Sequence, residues 1–188
     1  QAKEILAGSE AEWQRLARFL KDYPAACLLV NQWPGQRGKH DLDFLRHFPW
    51  LRRLKLSVYN LTSLNGLAAV PRLEELCLFQ TASNKLSLAP LAHCPKLKTL
   101  WIDGLSKDVQ SLAALQRLEE LQLARVGLPD LSLLQSHPAL LSLGLTFGNA
   151  TTLAALPPMP KLRELALRQV SGLKDLAPLG QCAPLQSL

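Results

Sequence analysis

Leucine recurs along most of the chain in a six-residue pattern, L-x-x-L-x-L, whose second half alternates apolar and variable positions. Such alternation is typical of a strand that buries one face. The pattern occurs six times and begins a seventh, with starts 21 to 24 residues apart. The occurrences are LRRLKL (51–56), LEELCL (73–78), LKTLWI (97–102), LEELQL (118–123), LLSLGL (140–145), LRELAL (162–167) and LQSL (185–188). This period predicts a solenoid in which each unit supplies one short strand.

A second pattern precedes each strand. Ten residues before the first leucine stands a Ser, Thr or Asp, whose side-chain oxygen can cap the first turn of a helix. These residues are Asp41, Ser63, Ser87, Asp108, Asp130, Thr152 and Asp175. Apolar residues stand nine and six positions before the strand, a spacing that places them on one face of a short α or 3₁₀ segment. Each unit is therefore predicted to be a capped turn followed by a strand.

These units resemble the leucine-rich repeat family over about residues 40–188. The resemblance implies an α/β fold, a curved right-handed coil with parallel strands on the concave face and short helical or 3₁₀ turns on the convex face. The 22-residue unit is most similar to the internalin-like class. That class usually has Asn three residues after the strand string, where this chain has Tyr59, Thr81, Leu105, Val126, Gly148 and Val170. The asparagine ladder is thus missing or replaced, and the surface-adhesion role of internalins is not carried over.

Residues 1–39 are expected to form an N-terminal cap on the repeats. The segment 9–23 reads SEAEWQRLARFLKDY, in which Ser9 and Glu12 form a capping box. Its apolar positions fall on one helical face, and they are Trp13, Leu16, Ala17 and Leu20. The sequence therefore predicts an amphipathic helix that covers the open end of the core.

The remaining segments outside the full repeats are short. An irregular first strand is predicted over about 25–30, and a loop over 33–38. At the other end the last repeat stops inside its strand string. We expect the natural protein to continue beyond Leu188 or to be capped differently there.

The composition, 48% hydrophobic and 19% charged, is that of a folded globular domain, and no run of about 18 apolar residues predicts a membrane span. Residues 37–55 hold six basic and two acidic residues, a net charge of +4 within the chain's +6. This basic edge could bind an anion or nucleic acid, or it could simply be solvated.

The candidate catalytic and metal-binding residues do not form a site in this register. The four cysteines (Cys27, Cys77, Cys94 and Cys182) lie far apart and are predicted to be free thiols, which favours a reducing, cytoplasmic location. Cys94 falls on a core position whereas His93 beside it faces solvent, so the two do not form a nucleophile and base. His137 is interpreted as a neutral core-margin histidine bonded to a backbone carbonyl. We therefore predict no enzyme, no metal and no cofactor.

The outward positions of the strands are the remaining candidates. Within L-x-x-L-x-L the leucines point inward, so the intervening side chains form the concave face. Trp101 and Phe79 are diagonal neighbours there, and no folding requirement explains two large aromatic residues at these positions. The predicted binding residues are Trp101, Phe79, Glu75, Asp103, Glu120, Gln122, Arg53 and Lys55.

Aromatic side chains with a polar rim have the composition of a binding hot spot. The structural alternative is that Trp101 packs flat on its neighbours or is covered by a flanking domain. Small outward residues follow (Ala124, Gly144 and Ala166), which predicts a shallow open floor. The sequence therefore predicts a non-catalytic module that binds another protein. Two alternatives stay open: a sensing or substrate-recruiting region of a larger protein, and a surface for nucleic acid or another anion at the basic edge.

Overall fold

The strand strings form consecutive members of one parallel sheet. The computed structural model describes residues 3–5, 9–32, 40–79, 85–128, 131–148, 152–170, 172–182 and 185–187. Within these ranges the strands are β1 (Lys3–Ile5), β2 (Cys27–Gln32), β3 (Arg53–Val58), β4 (Glu75–Phe79), β5 (Thr99–Asp103), β6 (Glu120–Ala124), β7 (Ser142–Thr146) and β8 (Glu164–Arg168). They lie side by side in chain order, each parallel to the next. The predicted α/β solenoid of leucine-rich repeats is confirmed.

From β2 onward a short 3₁₀ segment follows each strand except β7, after which the described residues 152–160 form turns and no 3₁₀ helix. These segments span Asp43–His47, Asn65–Ala69, Ala89–His93, Val109–Ala114, Ser132–Ser136 and Ala177–Gln181. The first five of these segments contact their neighbours and form the layer opposite the sheet. The predicted loop at 33–38 and the predicted cap Asp130 lie outside the described residues.

The residues predicted as N-caps stand one position before the N-cap itself, as Asp41 stands before Leu42. In five repeats the side-chain oxygen accepts from the backbone N–H two residues on, over 2.8 to 3.2 Å. Asp108 is the exception, because its backbone is left-handed (φ 59°) and its carboxylate accepts the Ser87 hydroxyl of the preceding repeat. Among the described positions, the prediction of a side-chain cap was therefore wrong at Asp108, where a hydrogen bond to the preceding repeat replaces the cap.

The core is a set of leucine ladders between the two layers. Leu54, Leu76, Leu100, Leu121 and Leu143 lie opposite one another on successive strands, and each is at most 1% exposed. Burying one such side chain contributes roughly 1.5–3 kcal/mol relative to leaving it exposed. The ladders therefore bind each repeat to the next along the sheet.

The N-terminal segment closes one end of this core. Helix α1 spans Glu10–Leu20, begins with the predicted capping box and buries the four predicted apolar residues. Trp13 stacks on Phe44 of the first turn with ring centroids 4.3 Å apart, and Glu10 accepts from Arg46 over 2.7 Å. The helix is therefore fixed to the first repeat by both apolar packing and an ion pair.

The strand between helix and first repeat differs from its prediction. β2 is regular rather than irregular, because all six of its residues pair in register with β3. Beyond it lies β1, which sequence patterning did not predict and which pairs with β2 over three residues. Three residues are too few for an alternation pattern to be recognised in the sequence.

Candidate binding surface

The concave face consists of three parallel rows of outward side chains, one for each outward position of the strands. The first row is Cys27, Arg53, Glu75, Thr99, Glu120, Ser142 and Glu164. The middle row is Leu29, Lys55, Cys77, Trp101, Gln122, Gly144 and Ala166. The last row is Asn31, Ser57, Phe79, Asp103, Ala124, Thr146 and Arg168. All eight predicted binding residues lie in these rows.

The basic end of the face is neutralised only in part. Glu75 lies between Arg53 and Lys55 and accepts from both, over 2.7 and 3.1 Å. Burial raises the pKa of Glu75, but these two hydrogen bonds outweigh burial and leave the pKa below its ordinary value. The hydrogen bond to Glu75 likewise raises the pKa of Lys55. The triad therefore keeps one net positive charge, with both of its cations paired to Glu75.

Cys77 points outward but is not accessible. It stands in register between Lys55 and Trp101 and is only 4% exposed. Burial raises the pKa of its thiol to about 11. At neutral pH the sulfur is a protonated thiol, which is a poor nucleophile. Cys77 is thus part of the floor beneath the neighbouring side chains.

Trp101 is the most prominent side chain of the face. It is 40% exposed, and its ring meets that of Phe79 at 90° with centroids 5.8 Å apart. Its indole N–H donates to Glu120 Oε1 over 3.3 Å. The two aromatic rings therefore contact each other as diagonal neighbours in an edge-to-face arrangement.

Two adjoining cavities open beside Trp101. One, of about 260 Å³, is lined by Phe79, Trp101, Asp103 and Ala124 among others. The second, of about 520 Å³, extends over β6 to β8, with Ala166 on its floor and Glu164 and Arg168 on its sides. Trp101, Gln122, Thr146 and Arg168 line both cavities, which makes them one continuous groove.

Two of the three small outward residues, Ala124 and Ala166, line this groove, whereas the open floor predicted at Gly144 was wrong. A Cβ atom at Gly144 would lie 1.7 Å from Gln122 Oε1, so the Gln122 side chain occupies the space over Gly144. Glu164 and Arg168 were not among the predicted binding residues. Their outward positions in the last full strand were visible in the sequence, but nothing there indicated that they would border a cavity.

Asp103 joins the face to the turn that follows the next strand. Arg125, one residue beyond β6, has left-handed backbone (φ 53°) and donates to Asp103 Oδ2. The other oxygen, Asp103 Oδ1, is buried and accepts no hydrogen bond from the described residues. Sequence analysis did not identify Arg125, because it lies outside the alternating positions of the strand.

Of the residues considered for catalysis, Cys94 and His137 lie inside the core, whereas His93 lies on the surface. Cys94 is fully buried, and burial raises its pKa to about 11, while His93 is exposed. His137 is also fully buried, with Nδ1 3.2 Å from the carbonyl oxygen of Leu115 in the preceding repeat. Since a carbonyl only accepts, Nδ1 carries the proton. Burial lowers the pKa of His137, against the effect of this hydrogen bond, so its ring is neutral at pH 7.

Two further properties bear on the class of site. Within the part of the chain that the structure describes, no three His, Cys, Asp or Glu side chains come together in an arrangement that could hold a metal ion. No helix in the described ranges is both long and apolar enough to cross a membrane.

Comparison with known proteins shows a likeness in fold. No family model and no curated protein matches the chain. An internalin (inlF) from Listeria monocytogenes is similar at 20% identity over 89% of this chain and 55% of its own, with a TM-score of 0.64. TLR13, solved as a complex with ssRNA13, is similar at 19% identity over 100% and 32% of the two chains, with a TM-score of 0.64.

A third solved structure holds a peptide. The Arabidopsis receptor kinase HAESA, in complex with an IDA peptide hormone ligand, is similar at 18% identity with a TM-score of 0.58. The alignment covers 88% of this chain and 28% of HAESA, so this chain spans about half of the internalin and under a third of the two receptors. Likeness at these identities extends to architecture alone, and the architecture of this chain is that of the leucine-rich repeat proteins.

Proposed function

We propose that the chain is a non-catalytic recognition module that binds another protein through the concave face of β4 to β7. The observation that carries the proposal is Trp101, 40% exposed, set edge-to-face against Phe79 at the border of an open groove. The core and sheet do not require an aromatic residue at this outward position. Its exposure therefore supports a role in binding.

The energetics favour these two side chains as the anchor. A buried aromatic residue removes about 150–250 Å² from water, and truncating a hot-spot residue typically costs 2 kcal/mol or more of binding free energy. Glu75, Glu120 and Gln122 surround the rings with polar groups that can exclude water from the contact. Beyond them, the small side chain of Ala166 in the larger cavity leaves room for the main chain of a partner.

Similar folds bind different ligands, so the surface chemistry has to select among them. HAESA holds a peptide and TLR13 holds single-stranded RNA. A nucleic-acid partner would need unpaired cations beside stacking aromatics. Here Arg53 and Lys55 are both bound to Glu75, and Trp101 donates to a carboxylate. This arrangement favours a protein or peptide over a nucleic acid.

The proposal also covers a module within a larger protein. A sensing or substrate-recruiting role would use the same face, with catalysis or signalling supplied elsewhere. A reducing, cytoplasmic setting is our proposal for its location, on the basis of four unpaired thiols, three of them buried. The internalin-like repeat class is a proposal too, based on the 22-residue spacing.

The test replaces the aromatic pair of the face. Proteins captured from a cell lysate are compared for the parent chain and for Trp101→Ala with Phe79→Ala. We expect the captured partner to bind the double variant about thirtyfold more weakly, because a hot spot is worth about 2 kcal/mol. Circular dichroism verifies that the fold is retained.

The chain offers a matched control in a second exposed aromatic pair. Phe19 on α1 and Tyr23, three residues beyond its end, are each more than half exposed, with centroids 5.2 Å apart. Phe19→Ala with Tyr23→Ala should leave the affinity unchanged. Equal capture by all three proteins would refute the proposal. Loss of binding with salt and on neutralising Arg52, Arg53 and Lys55 would support the anion-binding alternative instead.

A further inference from the structure

Three hydrogen-bond donors line both cavities without a side-chain partner among the described residues. They are the Gln122 amide, the Thr146 hydroxyl and the Arg168 guanidinium. Thr146 and Arg168 lie opposite each other on β7 and β8, so their side chains are neighbours in the last row. An arginine head group presents its N–H donors in a fixed planar fork. Unused donors thus meet where the two cavities join.

The charge at this junction is positive. Among the described residues that line the smaller cavity, only Asp103 and Arg168 are charged. Arg125 already neutralises Asp103, and the second oxygen of that carboxylate is buried. Arg168 is exposed and forms no ion pair with the described part of the chain. The junction therefore has one uncompensated positive charge, which selects an anionic group.

A single carboxylate matches this charge and these donors. A guanidinium binds a carboxylate through paired, parallel N–H···O bonds, and the neighbouring Thr146 hydroxyl can donate a further one. A nucleic-acid strand would bring a phosphate with every nucleotide. Glu120 and Glu164, in the first row of β6 and β8, would repel such a chain of charges. One carboxylate is therefore a better match than a polyanion.

The groove continues on both sides of Arg168. The smaller cavity extends from it towards Phe79, and the larger one continues along β8 as far as Glu164 and Ser187. A peptide can therefore pass over Arg168 and does not have to end there. This geometry favours the side chain of Asp or Glu over the carboxyl terminus of a chain.

We propose that the partner presents an aspartate or glutamate whose carboxylate binds Arg168, while a neighbouring apolar side chain packs on Trp101 and Phe79. The inference rests on the proposed function and adds the chemistry of the residue that is bound beside the aromatic pair. Charge-assisted hydrogen bonds to the guanidinium offset the water that the carboxylate loses on binding. The rest of the partner segment is an extended peptide in the cavity of about 520 Å³.

The experiment selects ligands without knowing the natural partner. A random-peptide display library is panned against the immobilised 188-residue chain, with counter-selection on Trp101→Ala with Phe79→Ala. Enriched peptides are expected to share one Asp or Glu beside an apolar residue. Replacing that acid by its amide should weaken binding about tenfold to a hundredfold, the value of a charge-assisted hydrogen bond. Amidating the carboxyl terminus of the peptide should leave the affinity unchanged.

A double-mutant cycle then identifies the contact. Arg168→Gln should weaken the parent peptide to the same extent, yet leave the amide-substituted peptide unaffected. Arg163→Gln is the matched control, because Arg163 is also exposed but lines neither cavity. It should change either affinity less than about twofold, as expected for an exposed charge.

The possible failures are distinguishable. If peptides depend on Trp101 and Phe79 but share no acidic residue, or tolerate Arg168→Gln, the carboxylate contact is wrong while the proposed function stands. If no peptide depends on the two aromatic residues, the proposed function fails and this inference with it.

Two other sources of the carboxylate would also overturn the proposal. Loss of binding on amidating the peptide would show that the group bound is a chain terminus. If sedimentation shows that the chain dimerises and that Arg168→Gln abolishes the dimer, the carboxylate comes from a second copy and not from a peptide partner.

Discussion

His137 occupies a position that apolar side chains or cysteine fill in the other repeats. Its counterparts are Phe48, Val70, Cys94, Leu115, Met159 and Cys182. The ring is tolerated there because Nδ1 reaches the Leu115 carbonyl, but Nε2 is buried with no hydrogen-bond partner among the described residues. The site therefore accepts only the neutral ring, since a buried charge without a partner is costly.

The free energy of unfolding should fall between pH 7 and pH 5 because of His137. Because burial lowers the folded-state pKa of His137, the unfolded chain binds its proton first as the pH falls. The contribution to stability is complete above about pH 6.5 and is lost progressively below it. We therefore expect the parent chain to lose more stability than His137→Leu over this range. Urea unfolding at several pH values measures the difference.

A surface histidine provides the control for this measurement. His93→Gln, at an exposed position, should keep the pH dependence of the parent chain. Identical pH dependence for the parent chain and His137→Leu would show that burial does not govern this group.

At the scale of elements, the turn after each of the strands β5 to β8 uses left-handed backbone. Gly104, Arg125, Phe147 and Gln169 follow β5 to β8 at equivalent positions, with φ between 51° and 77°. In the first three, the backbone N–H bonds to the last residue of the next strand. The stacked ladder therefore imposes this conformation even on side chains that disfavour it.

Substitutions at Gly104 and Gly180 distinguish the effect of backbone conformation on stability from the effect of side-chain packing. A Cβ atom would meet no heavy atom within 4 Å at either Gly104 or Gly180, but only Gly104 has positive φ (77°). Gly104→Ala should destabilise the fold by about 1 kcal/mol. Gly180→Ala should stabilise it by about 0.5 kcal/mol through the unfolded state. Denaturant midpoints measure both, and shifts of the same sign would contradict the conformational explanation.

At the scale of the whole molecule, each repeat contacts mainly the repeats on either side. The strands pair only with chain neighbours, and the 3₁₀ segments contact only adjacent ones. Stability in such a stack is approximately a sum of repeat and interface contributions. The chain should therefore tolerate the loss of one complete unit if the register is kept.

Deleting residues 120–141 tests this. The deletion removes one 22-residue period and brings Ser142 opposite Thr99, and Gly144 opposite Trp101. We expect a folded chain with cooperative unfolding and a urea m-value lower by roughly a tenth. Deleting residues 120–130 instead should abolish cooperative unfolding, because the strands and turns no longer align. Loss of structure in the 22-residue deletion would show that the repeats do not stack independently.

Much of the architecture could be predicted from the sequence because the same pattern of leucines recurs in every repeat. The strand positions, the inward leucines and the cap helix follow from local alternation and spacing. β1 and the regularity of β2 could not be predicted, because each is held by pairing with the next strand, β1 with β2 and β2 with β3, and its own pattern is short or weak.

The candidate binding surface, too, could be predicted from the sequence only in part. The sequence alone determined which side chains face outward, and so placed Trp101 and Phe79 together, because side-chain direction alternates along a strand. Only the tertiary structure decided what surrounds them: Glu75 binding two cations, Arg125 reaching Asp103 from a left-handed turn, and the groove beside Trp101. These features depend on distances between side chains of different repeats, which the repeat period does not encode.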